Sequence, residues 1–154
     1  MAGSRSGKGA AARSPRITYM VKQLELAIRA DVDAMAREHG LTAPQYTALT
    51  VLHRHPDMSG AQLARRSFVS AQAGNEMISN LERKGLISRQ PDPANRRILR
   101  IRLTADGERV VKACQGEMDA IERRMLAGIP SGAAADFKAV LSACVQNLQS
   151  SLRS

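Results

Sequence analysis

Residues 70–103 constrain the fold of this chain more than any other stretch. They begin with helical periodicity, reach Gly85, and then change to two runs of strand character, 86–90 and 98–103. A turn of Pro91, Asp92, Pro93, Ala94, Asn95, Arg96 and Arg97 joins the runs. In Leu99-Arg100-Ile101-Arg102-Leu103 the alternation is strict, so a strand there has one apolar and one basic face. A polar helix beside a basic hairpin can reach two grooves of one duplex, and this pattern predicts an element that reads DNA.

The residues before it predict two short helices and a turn. Thr42-Ala43-Pro44-Gln45 has capping-box spacing with Pro inside the first turn, and Tyr46, Leu49, Leu52 and His53 form the expected inner face. Ser59-Gly60-Ala61-Gln62 repeats the box before a very short helix holding Leu63 and Ala64. Ser67, Phe68 and Val69 then make a turn and Ser70 caps the next helix. In that helix Ala71, Gly74, Ile78 and Leu81 mark the inward stripe, with Met77 at its edge. Gln72, Asn75, Glu76, Ser79, Asn80 and Arg83 are left facing outward. This is a helix-turn-helix pattern followed by a wing.

Long helices flank the unit. Ser14 and Pro15 offer an N-cap and first position for a helix whose stripe is Ile17, Met20, Val21, Leu24, Ala27, Ile28, Val32 and Met35, with Gly40 as its stop. Thr104 caps another helix, running to about Ala127, with Val111, Cys114, Met118, Ile121 and Met125 on one side. Gly128-Ile129-Pro130 interrupts the pattern. Ser131 can cap a last helix striped by Phe137, Val140, Leu141, Cys144, Val145, Leu148 and Leu152. The terminal stripes extend past any compact central unit, which predicts that they interlock with a second copy as a homodimer. The expected class is mainly α with a small β-hairpin wing (α+β). A winged helix-turn-helix lobe, residues 42–103, is flanked by dimerisation helices at 14–39 and 104–154. Together these form a single domain over 14–154, behind a disordered basic tail at 1–13.

Charge narrows the function. With 23 basic and 14 acidic residues the net charge is +9, which favours a polyanionic partner. No apolar run approaches the roughly 18 residues of a membrane span, and no secretory apolar segment follows the N-terminus, so no membrane partner and a cytoplasmic location are expected. The 2 cysteines, Cys114 and Cys144, lie in helical patterns and form no disulfide framework. His53 and His55 are two apart and point to different helix faces, so no metal site is expected. There is no nucleophile elbow, phosphate loop or ligand cluster, hence no enzyme and no cofactor.

The outward helix face has the chemistry for bases. Gln72, Asn75 and Asn80 both donate and accept, as adenine requires; Arg83 suits guanine or phosphate, and Glu76 can accept from cytosine or steer an arginine. An ordinary solvated face is the alternative for each residue singly. Arg96 and Arg97 at the hairpin tip suit the negative potential of a narrow minor groove. Arg89, Arg100 and Arg102 would add phosphate contacts, although charges also protect exposed strand edges.

Leu81-Glu82-Arg83-Lys84-Gly85-Leu86-Ile87, then Asp92-Pro93-Ala94-Asn95-Arg96-Arg97, then Leu103-Thr104-Ala105-Asp106-Gly107 resemble, in order and spacing, the MarR family of bacterial winged-helix regulators. Leu41-Thr42 with Gln45, and Gln62-Leu63-Ala64, resemble its second and third helices. The resemblance runs from about Ile17 onward. It implies a homodimeric repressor of a neighbouring operon and its own gene, bound to a near-palindromic double-stranded DNA operator through Ser70, Gln72, Asn75, Glu76, Asn80, Arg83, Arg96 and Arg97. It also implies release by a small anionic or phenolic effector, for which Tyr19, Tyr46, His53 and Arg109 are placed by position; each also suits ordinary packing. Two positions depart from the family pattern. Asn95 stands where an aspartate usually orients the wing arginine, and Gly74 where an apolar side chain usually lies. A helix-interior glycine costs about 0.5–1 kcal/mol relative to alanine, and nothing in the sequence explains it. Two alternatives remain: a winged-helix interaction dimer without specific DNA binding, and a cysteine-based redox regulator.

Overall fold

The computed structural model of the protein describes residues 14–151. The expected basic tail at 1–13 and Leu152 of the last apolar stripe lie outside the described residues. Six helices and one hairpin follow in the order α1 (Ile17–Glu38), α2 (Ala43–Arg54), α3 (Gly60–Arg66), α4 (Ala71–Arg83), β1 (Ile87–Pro91), β2 (Leu99–Leu103), α5 (Ala105–Met125) and α6 (Ser131–Ser151). The fold is mainly α with a winged helix-turn-helix at its centre.

Local chemistry sets most of these boundaries. Thr42 and Ser59 each accept from the backbone N–H three residues on, while Gln45 and Gln62 reach back, so both capping boxes form. Ser70 accepts from Ala73 N at 3.2 Å, and Thr104 from Gly107 N at 3.1 Å. The first helix departs from expectation. Arg16 takes an extended conformation and α1 starts at Ile17 with no side-chain cap, so neither Ser14 nor Pro15 opens it. The last helix includes Ser131 as its first residue, and the Pro130 carbonyl accepts from Ala134 N.

Three helices end in the same hydrogen-bonded turn. After α1, Leu41 N donates to Ala36 O at 2.8 Å; after α4, Leu86 N donates to Leu81 O at 3.0 Å. Gly40 and Gly85 supply the positive φ these turns require. After α3, Val69 N donates to Ala64 O at 3.1 Å, but the positive-φ residue is Phe68, at 60°. An L-residue with a bulky side chain is disfavoured there, and its ring is 90% exposed.

The core lies inside the winged lobe. Leu49 and Leu52 of α2, Leu63 of α3, Leu81 of α4, Ile101 of β2, and Val111 and Cys114 of α5 are essentially sealed from solvent. Within α4 the buried face is Gly74, Met77, Ile78 and Leu81, so Met77 is inside and Ala71 outside, contrary to the expected stripe. His53 also leaves the inner face of α2 and is exposed. The two strands pair antiparallel with Arg89 opposite Ile101, and Met58 adds a bridge to Ile101 from the α2–α3 loop. Thr104 Oγ1 donates to Gly85 O at 2.6 Å, which docks the start of α5 on the turn after α4. Only the C-terminal half of α1 joins this core, through Met35 and Ala36. On the N-terminal half, Ile17, Met20 and Val21 are exposed, as are Phe137, Val140 and Val145 on α6.

Candidate nucleic-acid interface

α4 presents Gln72, Asn75, Glu76 and Arg83 to solvent, with Asn80 half-buried beside them. Other polar groups along this helix are already engaged within it. Ser70 uses its hydroxyl to cap the first turn, and Asn80 Oδ1 accepts from the Arg83 guanidinium one turn on. Among the described residues the amides without a partner nearest the N-terminal end are therefore Gln72 and Asn75; in helix-turn-helix proteins generally, that end of the second helix meets base edges.

The hairpin divides its arginines into two kinds. Arg89 is held by Glu82 of α4 through both Nε and Nη2, at 3.0 and 2.6 Å. Arg100 Nε donates to Asp92 Oδ2 at 2.5 Å, and its Nη1 to Asp57 O at 3.2 Å. Arg102 forks onto the Asp57 carboxylate. The Ala94 N–H, followed by the Arg100 guanidinium, holds the Asp92 carboxyl below the usual aspartate range. Arg100 and Arg102 thus fasten the wing to the α2–α3 loop, where sequence alone had suggested phosphate contacts. At the tip, Arg96 and Arg97 are exposed and have no carboxylate partner among the described residues. Asn95 Oδ1 accepts from the Arg97 backbone N–H at 3.2 Å, and its carbonyl accepts from Ile98 N at 2.9 Å. It shapes the tip through the backbone, a task for which an amide oxygen serves as well as a carboxylate. The sequence contains no sign of Asp57, which takes φ 66° and lies 45 residues from its arginine.

A cleft of about 1100 Å³ opens between α1, the start of α2, the α3–α4 turn and α6. Met20, Leu24, Ile28, Phe68, Phe137 and Leu141 give it apolar walls. Ser67 also lines it, and the Ser67 hydroxyl is buried without a hydrogen-bond partner among the described residues. Arg29 and Glu25, paired with each other, also line it, as does Asp33. None of Tyr19, Tyr46, His53 and Arg109 lines this cleft. Tyr19 is exposed on α1, and Tyr46 is in the core, where burial pushes its phenol pKa up. His53 Nδ1 lies 2.8 Å from Glu108, and Arg109 pairs with Asp106. Among the described residues no group of three or more His, Cys, Asp or Glu could hold a metal, and no helix is long and apolar enough to cross a membrane.

Comparison with known proteins agrees with this geometry. Residues 39–98 match the model of the MarR family. The HTH-type transcriptional repressor Rv2887 of Mycobacterium tuberculosis is 31% identical over 123 residues, covering 80% of this chain and 88% of that protein. The solved structure of Rv2887 in complex with salicylic acid superposes with a TM-score of 0.71 at 29% identity, over 86% of this chain and 98% of the other. That of Rv2887 in complex with DNA gives 0.71 at 27% identity, over 85% and 98%. Such relatives are transcriptional regulators and not enzymes. Fold, helix-turn-helix, wing and relatives agree, and the chain belongs to the MarR family of winged-helix transcriptional regulators.

Proposed function

We propose that the protein is a homodimeric, cytoplasmic repressor that binds a near-palindromic operator. Residues 42–103 act as its DNA lobe, with the helices on either side as its dimerisation elements. In each protomer α4 enters a major groove with Gln72, Asn75 and Glu76 toward base edges, while Arg96 and Arg97 reach the adjoining minor groove. The observation that carries this reading is the division of the wing arginines: three are neutralised by carboxylates of the protein, and the two at the tip have no such partner among the described residues. The apolar residues left uncovered on α1 and α6 support the dimer, since together they form a stripe that one protomer does not bury. A relative of known structure in complex with DNA supports the duplex partner.

An effector site in the cleft is part of the same proposal. Its apolar walls and the Ser67 hydroxyl, unpartnered among the described residues, suit a small aromatic compound with a hydrogen-bonding group, and a relative is known in complex with salicylic acid. The operator lies upstream of the chain's own gene and its neighbouring operon. The test is a titration of two labelled duplexes, the chain's own upstream DNA and a scrambled sequence of equal composition, at physiological salt. The expected preference for the upstream duplex is about 10³-fold or more. Equal affinity for both would reduce the protein to a winged-helix dimer without a specific site.

A further inference from the structure

Gly74 lies on the buried face of α4, directly over α3. Its backbone is helical, so the conformational freedom of glycine does not account for it. The space around it does. A Cβ built on Gly74 would stand 2.5 Å from Ala64 Cβ, 3.4 Å from Ala64 Cα and 3.8 Å from Val69 Cγ2. Ala64 has no rotatable side chain to move aside, so an added methyl can be accommodated only by separating the helices. Ala64 and Val69 are also the two ends of the hydrogen bond that closes the α3–α4 turn. One turn away, a Cβ on Gly60 of α3 would meet the flexible end of Ile78, Cδ1, at 3.3 Å, so the tight approach of the two helices is centred on Gly74 and Ala64.

We propose that Gly74 is a positioning residue for operator recognition. Its absent Cβ lets α4 lie directly on Ala64, and this spacing sets where Gln72, Asn75 and Glu76 stand relative to the wing tip. The wing is fastened separately to the α2–α3 loop through Asp57 and Arg102, so a displaced α4 would lose register with Arg96 and Arg97. The inference rests on α4 being the base-reading helix.

The test compares Gly74→Ala with the exchange Ala64→Gly/Gly74→Ala, which returns one methyl of space to the same contact. Each dimer is titrated with the upstream duplex and the scrambled duplex over a range of salt, and its melting temperature is recorded. Gly74→Ala is expected to reduce the ratio of specific to non-specific affinity about tenfold or more, comparable to losing one base contact. The salt slope, set by phosphate contacts, should stay at the wild-type value. The exchange should recover the ratio to within about threefold. A Gly74→Ala protein with a lower melting temperature but the wild-type ratio would make the residue merely structural and overturn the proposal. So would a folded exchange variant that does not regain discrimination. If Gly74→Ala does not fold, the exchange variant decides alone. A wild type that fails to discriminate between the duplexes brings down the base-reading role of α4 itself, which is distinguishable because the fault then precedes any substitution.

Discussion

Replacing wing arginines one at a time gives a quantitative test of which of them meet DNA. Each phosphate neutralised by a protein cation contributes about 0.9 to the slope of log affinity against log salt. Arg97 has no carboxylate partner among the described residues, so Arg97→Ala removes one such contact from each protomer and lowers the slope by about 1.8 for the dimer. Between about 50 and 200 mM salt, wild-type affinity should then fall about twelvefold more steeply than that of the variant. Arg102 is forked onto the Asp57 carboxylate, and its charge is already compensated within the protein. Arg102→Ala should therefore leave the slope nearly unchanged while lowering the melting temperature, because the wing loses its fastening to the α2–α3 loop. Fluorescence anisotropy of a labelled upstream duplex at four or more salt concentrations measures both slopes. Equal loss of slope in the two variants would refute the division of the arginines, and loss of the dimer in Arg97→Ala would place that residue in the scaffold instead.

Other outcomes follow from particular residues. The folded state lowers the Asp92 pKa, so its contribution to stability is complete above the ordinary aspartate value, declines as pH falls below it, and is gone beneath the lowered value. The melting temperatures of wild type and Asp92→Asn should accordingly converge in that acid range, and a constant gap would contradict the cause assigned to the shift. Leu81 is fully buried, and Leu81→Ala should cost about 2–5 kcal/mol in urea unfolding at unchanged m-value. Cys114 is buried, and burial followed by the nearby Glu117 charge pushes its thiol pKa up. In a Cys144→Ser variant, which removes the exposed thiol, a reagent at neutral pH should modify Cys114 only when the lobe opens, and rapid modification of the native variant would revive a redox role. Val140→Glu with Val145→Glu places two charges on the exposed α6 stripe and should give a folded monomer by sedimentation; an unchanged dimer would move the interface elsewhere.

Features governed by neighbours in the chain were legible from the sequence. Thr42, Ser59, Ser70 and Thr104 cap the helices they precede because a hydroxyl three residues before a free N–H needs no tertiary partner. Gly40 and Gly85 end theirs for an equally local reason, positive φ. The same type of signal misplaced the start of α1, where an extended Arg16 sets the boundary past Ser14 and Pro15. Features set by distant residues were not legible. The alternation in β2 placed Arg100 and Arg102 on one strand face, but nothing near them in sequence announced Asp57. Gly74 looked like a defect in its helix until Ala64 was found opposite it. Tyr46, His53 and Arg109 have the chemistry of ligand-binding groups, yet in the fold they pack in the core or pair with carboxylates of α5. The cleft between α1, α2 and α6 is built from residues whose apolar character, read in the sequence, points only to helix packing.

The central claim is that two copies of residues 70–103 read one duplex, each through a major groove and the adjoining minor groove. Hydroxyl-radical and methylation-interference footprinting of the upstream DNA tests it most directly. Two protected half-sites about one helical turn, roughly 10 bp, apart are expected. Each should show major-groove purine contacts beside a protected minor groove, and Arg97→Ala should erase only the minor-groove protection. A uniform, sequence-independent footprint, or one confined to the minor groove, would contradict it.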